Sequence, residues 1–195
     1  MDTRIAGLIL AGGLSRRMGG GDKALIDIGG TTLLARIAGR LAPQVSALAI
    51  SANGDAERFA ATGLPVLPDC IPGHIGPLAG VLTGLDWAAS QGVNRVVTVA
   101  SDTPLLPEDL VARLANAAAP LAAASSAGRV HPVFALWDVA LAVPLRQMLE
   151  TGERRMMAAL LALGAVTVEW PAEPVDPFFN ANTPADVEAL REMLG

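Results

Sequence analysis

Three cations, Arg16, Arg17 and Lys23, lie in one stretch with five glycines between Gly12 and Gly21. Glycine lets the backbone reach positive φ and approach a ligand closely, so successive amide N–H groups can aim at one anion. The stretch reads Ala11-Gly-Gly-Leu-Ser-Arg-Arg-Met-Gly-Gly-Gly-Asp-Lys23 and follows the apolar run Arg4-Ile-Ala-Gly-Leu-Ile-Leu10. A buried strand that empties into a cationic, glycine-rich loop suits a triphosphate. Gly12, Gly13, Ser15 and the loop amides would form the cradle, with Lys23 and Arg17 supplying charge. Arg16 alternates with Arg17 and is free to face water. Spacing excludes two other phosphate loops: Lys23 lacks the preceding Gly and following Ser or Thr of GxxxxGK[ST], and Ala24 stands where GxGxxG needs its last glycine.

Asp102 follows Val96-Val-Thr-Val-Ala100, the most β-branched run in the chain. A carboxylate at a strand end is a candidate ligand for magnesium, a hard ion that prefers oxygen donors, or else caps the SDTP turn. Asn53 and Asp69 follow two further apolar segments. An ionised aspartate can accept the adjacent N1–H and N2–H of guanine, a donor pair that cytosine lacks, although both residues also suit turns. Asn180 and Asn182 precede Thr183-Pro184 and either line a site or cap a helix. His74 and His131 belong to no Ser-His-Asp or Cys-His arrangement and are expected to be structural. No general base is needed if the attacking group is a phosphate monoester, whose second pKa of about 6 leaves it largely dianionic at neutral pH. Arg154-Arg155 suits an anion contact or a solvated helix start.

The elements that must position these residues alternate. Strands are expected at 4–10, 25–28, 47–51, 64–67, 96–100, 122–126, 131–136 and 166–170. Helices are expected from Thr31 or Thr32 to Leu41, then over 55–61, 78–90, from Pro107, and over 139–150, 156–163 and 185–194. Short connections between strands and helices indicate an α/β, Rossmann-like, doubly wound and mostly parallel sheet. Ligands of such sheets sit beyond the carboxyl ends of the strands, which puts the Gly12 loop, Asn53, Asp69 and Asp102 on one rim.

At 195 residues the chain fits one domain, 1–195. Apolar residues are 52% and charged residues 17%, which excludes a disordered chain. The net charge of −5 argues against nucleic-acid binding. No stretch has the length and apolarity of a membrane span or signal segment, and Cys70 is the single cysteine, so a reducing cytoplasm is expected.

The string from Leu10 to Lys23 resembles the loop of the molybdenum cofactor guanylyltransferases, within the nucleotidyltransferase superfamily. Gly76-Pro-Leu-Ala-Gly80, Ser101-Asp-Thr-Pro104 and Asn180-Ala-Asn-Thr-Pro-Ala-Asp186 are similar to further family segments, so the resemblance covers nearly the whole chain. It implies transfer of GMP from Mg-GTP to the phosphate of molybdopterin, with release of pyrophosphate. The nucleotide positions it implies are Leu10, Ala11, Gly12, Lys23, Asn53, Asp69 and Asp102, the last also holding Mg2+. Gly76, Pro77, Leu78 and Gly80 would lie in the cleft, and Asn180 and Asn182 on the pterin side, so the N-terminal half would take nucleotide and the C-terminal half pterin. Expected partners are GTP, molybdopterin, molybdoenzyme apoproteins and cofactor-insertion proteins, with the chain itself a monomer. Alternatives are a molybdopterin cytidylyltransferase, a sugar-phosphate nucleotidyltransferase and a non-catalytic carrier of nucleotide or cofactor.

Overall fold

The computed structural model describes residues 4–12, 23–71 and 76–194. Its strands are β1 (Ile5–Leu10), β2 (Ala47–Ser51), β3 (Val66–Leu67), β4 (Arg95–Ala100), β5 (Leu121–Ser126), β6 (Arg129–Asp138) and β7 (Val166–Trp170). They form one sheet in the order β3-β2-β1-β4-β6-β5-β7. All pairings are parallel except those of β6, which runs antiparallel to both β4 and β5. The α-helices are α1 (Leu33–Leu41), α2 (Pro77–Ser90), α3 (Leu110–Asn116), α4 (Ala142–Glu150), α5 (Met156–Ala162) and α6 (Pro184–Leu194).

The near-continuous apolar strands are explained by a sheet covered on both faces. Alternate residues of β1 enter opposite cores. Ile5 and Ile9 pack with Leu34, Ile37 and Leu41 of α1 and Leu110 and Leu114 of α3. Ala6 and Leu8 pack with Leu82 and Leu85 of α2, Leu145 of α4 and Leu160 of α5. Each fully buried large apolar side chain contributes about 1.5–3 kcal/mol. A smaller group under α6 joins Val187 and Leu190 to Ile28, Leu33 and Ala181. Helix α1 starts where the sequence indicates, with Thr32 Oγ1 accepting the Ala35 amide at 3.1 Å.

The reversal at β6 brings the second half of the chain back along the sheet. Trp137, fully buried, donates its indole N–H to Thr98 Oγ1 at 3.1 Å, and Thr98 donates in turn to the Val133 carbonyl at 2.7 Å. Both buried polar groups are therefore satisfied inside the β4–β6 pair.

Three local expectations differ from the structure. Residues 25–28 form no sheet strand: Lys23–Leu25 is a 3₁₀ turn, and only Asp27 makes a bridge, to Thr32. The turn at Gly29 and Gly30 folds the segment back on itself, so it never reaches a neighbouring strand. Residues Ala56–Thr62 form a 3₁₀ helix instead of an α-helix, closed between Asp55, whose side chain accepts the Glu57 amide, and Gly63 at φ 65. The helix expected from Pro107 starts at Leu110 after a turn.

Candidate functional site

Strand register aligns the carboxyl ends. Leu10 pairs with Ser51 on one side and with Ala100 on the other, so β1, β2 and β4 finish together. The Ala11 amide then donates to the Ser51 carbonyl at 2.9 Å, and the Ser101 amide to the Leu10 carbonyl at 3.3 Å. These bonds hold Leu10, Ala11 and the start of the glycine loop against the ends of β2 and β4. Gly12 is exposed at that edge. Gly13, Ser15, Arg16 and Arg17 lie outside the described residues, as does His74.

Lys23 and Asp102 meet across 79 residues of sequence, with Lys23 Nζ donating to Asp102 Oδ2 at 2.7 Å. Nζ also donates to Asn182 Oδ1 at 2.7 Å. Thr103, fully buried, donates its hydroxyl proton to Asn180 Oδ1 at 2.5 Å, and its Oγ1 lies 3.3 Å from the other Asp102 oxygen. The Ala181 amide donates to the Asp102 backbone carbonyl at 2.9 Å. Both C-terminal asparagines are therefore fastened to the lysine and to the β4 turn, while remaining exposed at the rim.

Asp186 supports Asn182. One of its oxygens accepts the amides of Asn182 at 2.8 Å and Thr183 at 2.7 Å, and Thr183 Oγ1 accepts the Asp186 amide at 3.2 Å. This reciprocal arrangement is a capping box at the start of α6. Partial burial pushes the Asp186 carboxyl up, but the hydrogen bonds from Thr183 and Asn182 and the Lys23 charge outweigh it and leave the carboxyl below its usual range.

Along the rim, Asn53 and Asp69 form a reciprocal pair. Asn53 Nδ2 donates to Asp69 Oδ2 at 2.7 Å, and the Asp69 amide donates to Asn53 Oδ1 at 2.9 Å. Arg58 donates to the Asn53 carbonyl at 2.9 Å, and the Cys70 amide to Thr83 Oγ1 at 2.8 Å. Asn53 thus spends its amide on orienting Asp69, which is half-buried.

Gly76, at φ 95, and Pro77 open α2 at the same edge and are exposed, whereas Leu78 and Gly80 are buried. A Cβ on Gly80 would stand 2.5 Å from Ser51 Oγ and 2.9 Å from Leu10 Cδ2, so the glycine lets α2 press onto the ends of β1 and β2. The Arg154 guanidinium donates to the Leu149 and Glu153 carbonyls. Arg155 pairs with Glu153, and its hydrogen bond holds that carboxyl at about 2. In both, the guanidinium is occupied at the α5 start.

Sequence reasoning gave no role to Thr103 or Asp186, although both sit inside the SDTP and NANTPAD strings. Their use is visible only once β4 and the α6 start are side by side.

A mostly parallel sheet whose carboxyl-end rim carries a loop-end lysine on a strand-end aspartate, with a second carboxylate past the end of β3, is the arrangement of a nucleotidyltransferase. The chain belongs to the MobA-like NTP transferase domain family, whose profile matches residues 7–165. It is 53% identical over 192 residues to the molybdenum cofactor guanylyltransferase of Bradyrhizobium sp. (strain ORS 278), covering 95% of this chain and 91% of that protein. It is also 53% identical over 193 residues to the molybdenum cofactor guanylyltransferase of Rhodobacter capsulatus, covering 98% and 97%. The fold is that of molybdopterin-guanine dinucleotide biosynthesis protein A from Archaeoglobus fulgidus, with TM-score 0.76, 22% identity and coverage of 96% and 97%. A 4-diphosphocytidyl-2C-methyl-D-erythritol synthase from Anaerococcus prevotii superposes with the same TM-score, 0.76, at 13% identity and coverage of 98% and 96%, so the fold alone does not choose the base.

Proposed function

We propose that this nucleotidyltransferase moves GMP from Mg-GTP to the phosphate of molybdopterin carrying molybdenum, yielding the guanine dinucleotide cofactor and pyrophosphate. One observation carries the reading: Lys23 Nζ lies 2.7 Å from Asp102 Oδ2 and 2.7 Å from Asn182 Oδ1, so a phosphate-seeking cation, a strand-end carboxylate and a C-terminal amide share one point of the rim. The names of the relatives at 53% identity support the same reaction.

Asp102 fits magnesium, since it offers carboxylate oxygens to a hard cation. The remaining ligands of such an ion would be phosphate oxygens and water. Magnesium would neutralise charge on the triphosphate. Lys23 exchanges Asp102 for a phosphate oxygen, and the loop amides after Leu10, with Arg17, hold the chain of phosphates. Asp69, oriented by Asn53, accepts N1–H and N2–H of guanine. Asn180 and Asn182 face the acceptor. A bond forms between an acceptor phosphate oxygen and the α-phosphorus. The bond to the α–β bridging oxygen breaks, and its electron pair leaves with pyrophosphate.

We take residues 1–195 as one catalytic domain acting in the cytoplasm as a monomer and passing its product to molybdoenzyme apoproteins or cofactor-insertion proteins. No helix among the described residues is long and apolar enough to cross a membrane. The test is pyrophosphate release from each nucleoside triphosphate in the presence of magnesium and molybdopterin. Release with GTP is expected, and release with CTP but not GTP would overturn the assignment.

A further inference from the structure

A second group of polar side chains is buried beside the acceptor half of the rim. Ser126, at the end of β5, is 1% exposed, and His131, on β6, is 9% exposed. Ser126 Oγ lies 2.7 Å from His131 Nε2 and 3.0 Å from each carboxylate oxygen of Asp176. A hydroxyl has one proton to give. With that proton on the carboxylate, Ser126 must accept from His131, which fixes the tautomer carrying hydrogen on Nε2. The serine is then the middle member of the chain His131 to Ser126 to Asp176. A hydrolytic triad has histidine in the middle, so this serine is not an activated nucleophile.

The chain ends on the segment that carries the asparagines. Asp176 Oδ1 also accepts the Phe178 amide at 2.9 Å, and its backbone carbonyl accepts the Phe179 amide at 3.1 Å. The Phe178 ring stacks on His131 at 4.6 Å and 26°, and it meets Phe134 at 5.0 Å and Trp170 at 5.6 Å. Phe178 is 2% exposed, so it acts as a plug in an aromatic socket. Two and four residues further on, Asn180 reaches Thr103 and Asn182 reaches Lys23.

We propose that Asp176, Ser126 and His131 are positioning residues: with Phe178 they form a buried tether that sets where Asn180 and Asn182 stand against Asp102 and Lys23, and hence how the acceptor phosphate is aligned. The proposal rests on the reading of the two asparagines as acceptor-side groups. None of the three touches the reacting atoms. Their effect travels along residues 176–182, whose far end is fixed by Asp186.

Backbone hydrogen exchange of the substrate-free protein tests the tether without depending on the reaction. In Ser126→Ala and in Asp176→Ala, peptides covering residues 176–183 should exchange about tenfold faster, while peptides over 95–100 keep the wild-type rate. Asp176→Asn, which keeps an acceptor oxygen for Ser126 and the Phe178 amide, should restore most of the protection. In steady-state assays with GTP and molybdopterin, kcat/KM for the acceptor should fall about 10- to 100-fold in the two alanine variants, as expected for a misplaced reacting group, with GTP affinity within about threefold of wild type. Unchanged exchange over 176–183, loss of protection spread through β4, or faster local exchange with unchanged kcat/KM would each overturn the proposal. Failure of the wild-type protein to turn over GTP and molybdopterin would instead overturn the proposed reaction, and the exchange result would still decide whether the tether exists.

Discussion

On the β1–β4 side of the rim, Asn53, Asp69 and Asp102 each stand two residues past the end of a strand, after Ser51, Leu67 and Ala100. On the β5–β7 side, Asn180 follows the end of β7 at Trp170 by ten residues and is held by Thr103 and by the burial of Phe178. Parallel strands deliver the first set directly, because register fixes where each strand stops. The second set depends on bonds between segments far apart in sequence, 77 residues for Thr103 and Asn180 and 50 for Ser126 and Asp176. The β1–β4 side is thus built into the sheet, and the β5–β7 side is strapped onto it.

The difference can be broken from the β1–β4 side with the largest effect. Asp102→Ala removes the carboxylate that holds Lys23 and is proposed to meet the phosphates through magnesium, and pyrophosphate release should fall on the order of 10³-fold. Lys23→Ala should cost roughly 10²-fold and also weaken GTP binding, because it deletes the proposed charge-assisted contact to phosphate. If either variant still supplied active cofactor to a molybdoenzyme apoprotein at the wild-type rate, the chain would be a carrier and not an enzyme. Asn53→Ala frees Asp69 to rotate and should reduce kcat/KM for GTP about tenfold, or ~1.4 kcal/mol, with little change in the acceptor KM. Competition assays with other nucleoside triphosphates would show the accompanying loss of base preference.

How much of this could be read in the sequence follows the same division. Val96 to Ala100 and the apolar run to Leu10 identify buried parallel strands, so the rule that ligands sit past strand ends locates Asp102 and the loop. Thr183-Pro184 marks the start of α6, and the capping by Thr183 and Asp186 follows that signal. The contact of Asn182 with Lys23 is not legible, because nothing local to Asn182 states that the β4 turn lies beside it. The antiparallel run of β6 is hidden for a similar reason: β-branched and aromatic residues give the strand but not its direction. Residues 25–28 mislead, since a short apolar run reads as a strand whether or not a partner strand is within reach. The sequence shows no Ser-His-Asp arrangement around His131, yet the fold brings Ser126 and Asp176 together with it, in an order with serine in the middle that residues 50 apart in sequence do not reveal.

Smaller effects sharpen the comparison through stability. Gly80→Ala forces a methyl group against Ser51 and Leu10 at the ends of β2 and β1, and overpacking of this kind costs about 1–3 kcal/mol. Thermal unfolding should show a drop of roughly 2–4 °C per kcal/mol for a chain of this size. On the β5–β7 side, burial pushes the His131 imidazole below its ordinary 6.5; Asp176 and Glu169 oppose that push and Arg129 adds to it. The unfolded chain therefore takes up this proton first as the pH falls. The stability gained by keeping His131 neutral is complete above about pH 6.5 and is lost as the pH drops through that value towards the lower folded one. Denaturant titrations at pH 7.5 and 5.5 should show a loss at the lower pH that is smaller in His131→Asn.

A crystal structure with magnesium and a non-hydrolysable GTP analogue addresses the central claim most directly. The account predicts the triphosphate against the amides after Leu10, with Lys23 moved from Asp102 to a phosphate oxygen and guanine hydrogen-bonded to Asp69. A triphosphate bound away from Lys23 and Asp102, or a guanine ring out of reach of Asp69, would contradict it.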